Sequence, residues 1–158
     1  MRYFLVDKVT ELIVDEKICG VKCVTLSDEI LHDHFPDHPI MPGALILESL
    51  SQLSGFLLEA SFHEPGRRPL RAILAQVQQA KFHESCGPGD QIELEVTLDS
   101  KLDGAARVSA EASVEGQRKV NARLDFVLKD IDSDRLHEQR RYIYQLWTKD
   151  LEPTPLIP

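Results

Sequence analysis

The stretch from Gly43 to Ala60 limits what this chain can fold into more than any other. Read at a helical period it is apolar nearly all round, through Leu45, Ile46, Leu47, Leu50, Leu53, Phe56, Leu57 and Leu58. A helix lying on a protein surface shows one apolar stripe, so a helix of this kind needs cover on most of its sides. Pro42 suits its first position, where a missing N–H costs nothing. The polar turn His63-Glu64-Pro65-Gly66 ends it. Whatever else the chain forms must wrap this helix.

The flanks supply β-structure. Tyr3 to Val9 and Thr10 to Val14 are apolar and β-branched, and Ile18, Val21, Cys23, Val24 and Leu26 continue with imperfect alternation. A loop carrying Pro36, Pro39 and Pro42 excludes regular structure before the helix. Later strands are expected over Leu70 to Phe82, Gln91 to Leu102, Ala105 to Glu115 and Arg118 to Lys129. The turns between them are Gly87-Pro88-Gly89-Asp90, Asp103-Gly104 and Glu115-Gly116-Gln117. Asp134 to Trp147 reads as a short terminal helix before a proline-containing tail. With 158 residues one hydrophobic core is expected, so the layout is α+β: one buried helix against a long antiparallel sheet.

Composition removes several function classes. Lys and Arg total 18 against 26 Asp and Glu, a net charge of −8, which argues against wrapping nucleic acid. Met1 and Arg2 lead at once into Tyr3-Phe4-Leu5-Val6-Asp7, too short an apolar run for a signal peptide. No uncharged apolar stretch reaches the roughly 20 residues of a membrane span. Cys19, Cys23 and Cys86 form neither a disulfide framework nor a C-x-x-C pair, which fits a reducing cytoplasm.

The residues that carry chemistry surround the helix start. Glu48 stands in its second turn among apolar neighbours, and Gln52, four positions on, shares its face. A carboxyl in an apolar wall keeps its proton more readily, which suits a general acid, although the helix dipole opposes this. The bland alternative is an acidic residue pointing to water, and the residues alone leave the two even. Met41 offers no capping oxygen, so the Gly43 and Ala44 N–H groups are free to hold an oxygen that gains negative charge. Gly43 would also let a ligand approach the backbone closely. Before the helix, His32, His34 and His38 alternate with Asp33 and Asp37. They admit a metal site, but the prolines break any ligand register, and a histidine in a stiff loop is more simply a general base or a surface residue.

The string His34-Phe35-Pro36-Asp37-His38-Pro39-Ile40-Met41-Pro42-Gly43, followed by Leu45, Glu48 and Gln52, resembles the β-hydroxyacyl-acyl-carrier-protein dehydratases of bacterial fatty acid synthesis. That family has a hot-dog fold, a sheet wrapped around a long central helix. In its motif H-F-P-x-x-P-x-x-P-G an acidic residue follows the histidine by 14 positions, the spacing of Glu48 from His34. Tyr3 to Val9 resembles its opening strand, and Lys81-Phe82 with Gly87-Pro88-Gly89-Asp90 resembles a later segment, so the resemblance covers roughly residues 2 to 130. Glu48 resembles the branch that only dehydrates; aspartate there is usual in the branch that also isomerises. Met41-Pro42-Gly43 and Gln52-Leu53 with Gly55-Phe56 lie nearer that second branch. Asp37 replaces a frequent glycine, Ser49 and Ser51 replace alanines, and residues 131–158 extend past the family's usual end.

The resemblance implies a hot-dog domain over residues 1–130 and a C-terminal extension over 131–158. It implies that His34 removes the proton beside a thioester carbonyl and that Glu48 protonates the departing 3-hydroxyl. The Gly43 amide would steady the enolate oxygen, and Phe35, Pro42 and Gln52 would line the substrate site. No metal or organic cofactor is implied. The partners implied are an acyl carrier protein and further copies of the chain, as a homodimer or trimer of dimers whose active sites form at the dimer interface. Carrier protein is acidic, so Arg67, Arg68, Arg71 and Lys81 are expected to form a local basic patch. Competing readings are a hot-dog thioesterase, for which the His-Phe-Pro loop is unnecessary, and a non-catalytic acyl-binding subunit, against which the retained His34 and Glu48 speak. In the extension, Leu136, Ile143 and Trp147 fall near helical spacing, as for a helix docked on the body or on a neighbour.

Overall fold

The computed structural model describes residues 3–158; Met1 and Arg2, and with them the expected leaderless start of the chain and of its domain, lie outside the described residues. Six strands form one antiparallel sheet: β1 (Lys8–Ile13), β2 (Lys17–Cys23), β3 (Arg71–Phe82), β4 (Gln91–Leu102), β5 (Ala105–Val114) and β6 (Gln117–Lys129). Their order across the sheet is β1-β2-β4-β5-β6-β3, so β1 and β3 are the edges. Helix α1 (Gly43–Ser61) packs against β2 to β6, and helix α2 (Asp134–Trp147) follows the sheet. This is the α+β hot-dog arrangement expected from the sequence.

Period-two alternation explains the sheet. On β4, Ile92, Leu94 and Val96 are buried between exposed Gln91, Glu93, Glu95 and Thr97. On β5 and β6 the inward residues include Ala110, Ala112 and Ala122, short side chains that leave room for α1. The helix packs closely on Gly20 of β2, where an added Cβ would lie 2.9 Å from the Lys8 carbonyl oxygen and 3.2 Å from Leu53 Cδ1. Only glycine fits there without movement.

Three boundaries differ from expectation. Residues 3–7 lie before β1, and only Asp7 reaches β2, donating to the Val21 carbonyl (2.8 Å); Gln52 of α1 takes earlier backbone groups, accepting from Leu5 N–H (2.9 Å) and donating to the Tyr3 carbonyl (3.0 Å). Pro42 is the N-cap, extended at φ −55° and ψ 129°, and Gly43 is the first helical residue. The second strand stops at Cys23, because Val24 pairs with the Asp90 turn in place of a neighbour strand.

Residues 131–158 are not a frayed tail. Ile143, Tyr144 and Trp147 join the same hydrophobic core as α1, and the Tyr144 ring stacks on Phe56 with centroids 3.9 Å apart. Glu59 of α1 and Arg71 of β3 form an ion pair with 2% and 3% of their side chains exposed. Tyr144 donates to Glu59 (2.8 Å), and Arg71 Nε donates to His137 Nδ1 (3.0 Å). Burial, and then the Glu59 carboxylate, push the Tyr144 hydroxyl well above its ordinary pKa. Beyond α2 the tail runs along β1, with Lys8 and Asp150 paired at 3.0 Å. Among the described residues no helix is long and apolar enough to cross a membrane.

Candidate active site

Burial along α1 is graded. Nearly every residue from Ser49 to Ser61 is buried, whereas Gly43, Ala44, Leu45, Leu47 and Glu48 are half-buried or exposed. The apolar helix is therefore covered at its C-terminal end and open at its start, where the sequence places the chemistry. The loop before it is braced by its own backbone. His34 donates to the Leu31 carbonyl (3.3 Å) and accepts from Ile40 (2.8 Å), while Met41 donates to the Cys86 carbonyl (2.8 Å). Asp37 has φ of 59°, the left-handed conformation that glycine enters freely and aspartate tolerates, which accounts for glycine being frequent at this position.

His34 is half-buried and its ring stacks on Phe35, centroids 4.2 Å apart. Phe35 itself is largely exposed. Glu48 projects into a cavity of about 310 Å³, walled by Tyr3, Phe4, Gln52, Leu136, Gln139 and Arg140. Gln52 Nε2 donates to Glu48 Oε1 at 2.9 Å. Gln52 also holds Tyr3 and Leu5, so its amide is engaged within the chain on both its oxygen and its nitrogen. The wall is mixed in polarity, not the uniformly apolar one expected. His34 is not part of this cavity.

At the helix start, the Gly43 and Ala44 N–H groups have no backbone or side-chain acceptor among the described residues, since Leu45 and Ile46 are the first to bond back, to the Pro42 carbonyl. They can serve an oxyanion. The close neighbour of Gly43 is the Phe82 ring: an added Cβ would lie 2.7 Å from Phe82 Cδ1. Phe82 also lines, with Ile40, Met41 and Ile46, a second cavity at this point.

The four cations expected to form one basic patch do not. Arg71 is buried against Glu59 and His137, so it is withdrawn from any surface role. Arg67 pairs with Glu64 (2.9 Å) and Arg68 with Asp132 (2.8 Å), beyond the C-terminal end of α1. Lys81 lies at the opposite end of β3 from Arg71, roughly 33 Å away by strand rise. Lys81 is exposed and precedes Phe82, the residue whose ring meets the helix start. His32 and His38 are exposed, and among the described residues no three His, Cys, Asp or Glu side chains converge as metal ligands. Sequence reasoning missed Glu59, His137 and Tyr144, whose pairing spans most of the chain, and missed Gln139 and Arg140 beside Glu48.

Comparison with known proteins agrees with this geometry. A family model described as a FabA-like domain matches residues 1–123. The chain is 38% identical over 124 residues to the 3-hydroxyacyl-[acyl-carrier-protein] dehydratase FabZ of Lactobacillus helveticus, covering 78% of this chain and 82% of that protein. It is 34% identical over 129 residues to FabZ of Dechloromonas aromatica, covering 82% and 90%. Among solved structures, the dehydratase heterocomplex ApeI:P from Xenorhabdus doucetiae superposes with a TM-score of 0.67 at 15% identity over 81% of this chain and 84% of that one. The protein smu.793 of Streptococcus mutans, bound to acetyl CoA, gives 0.65 at 15% identity over 84% and 96%. Those two likenesses speak to the fold, while the sequence matches go further: the chain belongs to the FabA-like family.

Proposed function

We propose that the chain dehydrates a (3R)-3-hydroxyacyl thioester of acyl carrier protein to the trans-2-enoyl thioester. The observation that carries this reading is the retained pair His34 and Glu48 at the family spacing, with Gln52 bonded to the acid. His34 takes a proton from C2; the electron pair forms the C2–C3 double bond as the C3–O bond breaks. Glu48 gives its proton to the departing hydroxyl, which leaves as water. The thioester oxygen gains charge during C2 deprotonation and accepts from the Gly43 N–H. Hydrolysis of the thioester, the runner-up, gives this acid–base pair no task.

The active unit is a homodimer in this reading. Support comes from β3, a 12-residue edge strand that exposes Ile73, Leu74 and Val77 along an unpaired ladder. A long apolar edge of this kind calls for a partner strand. The opposite edge, β1, already has the C-terminal tail beside it. A second copy would also cover the open start of α1 and bring its His34 toward the Glu48 cavity. Carrier protein would dock near Lys81, an exposed cation next in sequence to Phe82 at the helix start. Three unpaired cysteines support a reducing cytoplasmic setting.

The test is enoyl absorbance with a crotonyl carrier thioester, with released thiol followed in parallel. Reversible hydration that disappears in His34→Ala and Glu48→Ala is expected. Thiol release without hydration would overturn the proposal in favour of a thioesterase.

A further inference from the structure

Helix α2 lies outside the residues that the family model matches, yet it supplies one wall of the cavity into which Glu48 projects. Leu136, Gln139 and Arg140 are spaced at i, i+3 and i+4, so they share one helical face. The adjoining face is fixed to the body by His137 on Arg71, Tyr144 on Glu59 and the stack of Tyr144 on Phe56. The wall is therefore a placed surface rather than a passing contact of a loose tail.

If Glu48 protonates the 3-hydroxyl, C3 of the substrate lies at this cavity, and the acyl carbons beyond it meet α2. A plain acyl chain would meet Phe4 and Leu136 there, but its end would also lie against Gln139 and Arg140. Among the described residues, Arg140 makes no ion pair and neither Gln139 nor Arg140 makes a side-chain hydrogen bond, whereas Arg107 and Arg118 are each held by a carboxylate. Methylenes laid against the half-buried Arg140 guanidinium displace part of its water and offer no hydrogen bond in return. A carboxylate at the chain end matches its fork of donors.

We propose that α2 is the far wall of the acyl site and that Arg140, flanked by Gln139, makes the site prefer 3-hydroxyacyl groups ending in a carboxylate over methyl-ended chains of equal length. This rests on the dehydratase reading. The experiment compares three phosphate-free thioesters, 3-hydroxybutyryl, 3-hydroxyhexanoyl and 3-hydroxyadipyl, on the full-length chain and on Arg140→Gln. The expected result is a kcat/KM for the adipyl substrate about tenfold above the hexanoyl one, the size of one charge-assisted hydrogen bond. In Arg140→Gln that ratio falls to about one, mostly through KM, as for lost uniform binding. Equal or better turnover of the hexanoyl substrate by the native chain, or an unchanged ratio in Arg140→Gln, overturns the inference and leaves dehydration standing. No dehydration of any of the three, nor of the carrier-bound crotonyl substrate, overturns the dehydratase reading itself.

Discussion

Gln52 Nε2 donates to Glu48 Oε1 at 2.9 Å while the same amide accepts from Leu5 and donates to Tyr3. One side chain thus orients the acid and fastens the N-terminal segment that walls its cavity. Gln52→Leu keeps the volume and removes all three bonds. It is expected to lower kcat by about tenfold to a hundredfold through misplacement of the carboxyl. It is also expected to lower stability by about 1–3 kcal/mol, because the Leu5 and Tyr3 backbone groups lose partners. Steady-state kinetics with a urea melt check both; an unchanged kcat would remove Gln52 from the site.

Gly43 and Phe82 are in contact across the helix start. The Cβ of Gly43→Ala would stand 2.7 Å from Phe82 Cδ1, so the half-exposed ring must swing away. A loss of about 1–3 kcal/mol is expected, as for other overpacked sites. Phe82→Ala in the same chain should restore most of it, since it removes the obstacle. Thermal melts of the single and double variants decide this, and full additivity of the two changes would contradict the contact.

Tyr144 holds α2 to Glu59 only while its phenol keeps the proton. Its folded pKa stands well above the ordinary value of about 10, through burial and then the Glu59 carboxylate. The folded chain thus retains a proton that the unfolded chain releases. The stability contributed is full below about pH 10 and is lost as pH rises from there toward the folded value. Urea midpoints from pH 8 to 11 should fall more steeply for the native chain than for Tyr144→Phe. Parallel slopes would show that the hydroxyl is not linked to folding.

The edge strand β3 exposes an apolar row that a second copy would cover. Val77→Lys places a charge in the middle of a strand whose Ile73, Leu74 and Val77 face water in the single chain. A monomer with native circular dichroism and no dehydratase activity is expected. Light scattering with the enoyl assay checks it. An active monomer would show that each chain holds a complete site.

The fold was readable because its periods are clean. β4 alternates without a break from Gln91 to Thr97, and α1 is apolar enough to demand cover. The candidate site stood out because the His34 to Glu48 spacing lies within one loop and one helix, although the single chain does not bring His34 into the Glu48 cavity. What stayed hidden depends on tertiary pairing. Arg71 looked like a surface cation until α2 brought His137 beside it, 66 positions away. Tyr144 meets Glu59 across 85 positions, a distance over which periodicity carries no signal. Tyr3 to Leu5 has the apolar character of a strand, but Gln52 competes for its backbone. The boundary of β1 was misjudged for that reason.

In the proposed dimer, His34 and Glu48 act as one pair contributed by two copies of the chain. Dimers of His34→Ala and of Glu48→Ala, each inactive, are unfolded, mixed in equal amounts and refolded together. Half of the resulting dimers combine both variants, and each of those holds one intact site, so recovery of about a quarter of native dehydratase activity is expected. Refolded mixed dimers that remain as inactive as their parents would show that His34 and Glu48 do not pair across two copies.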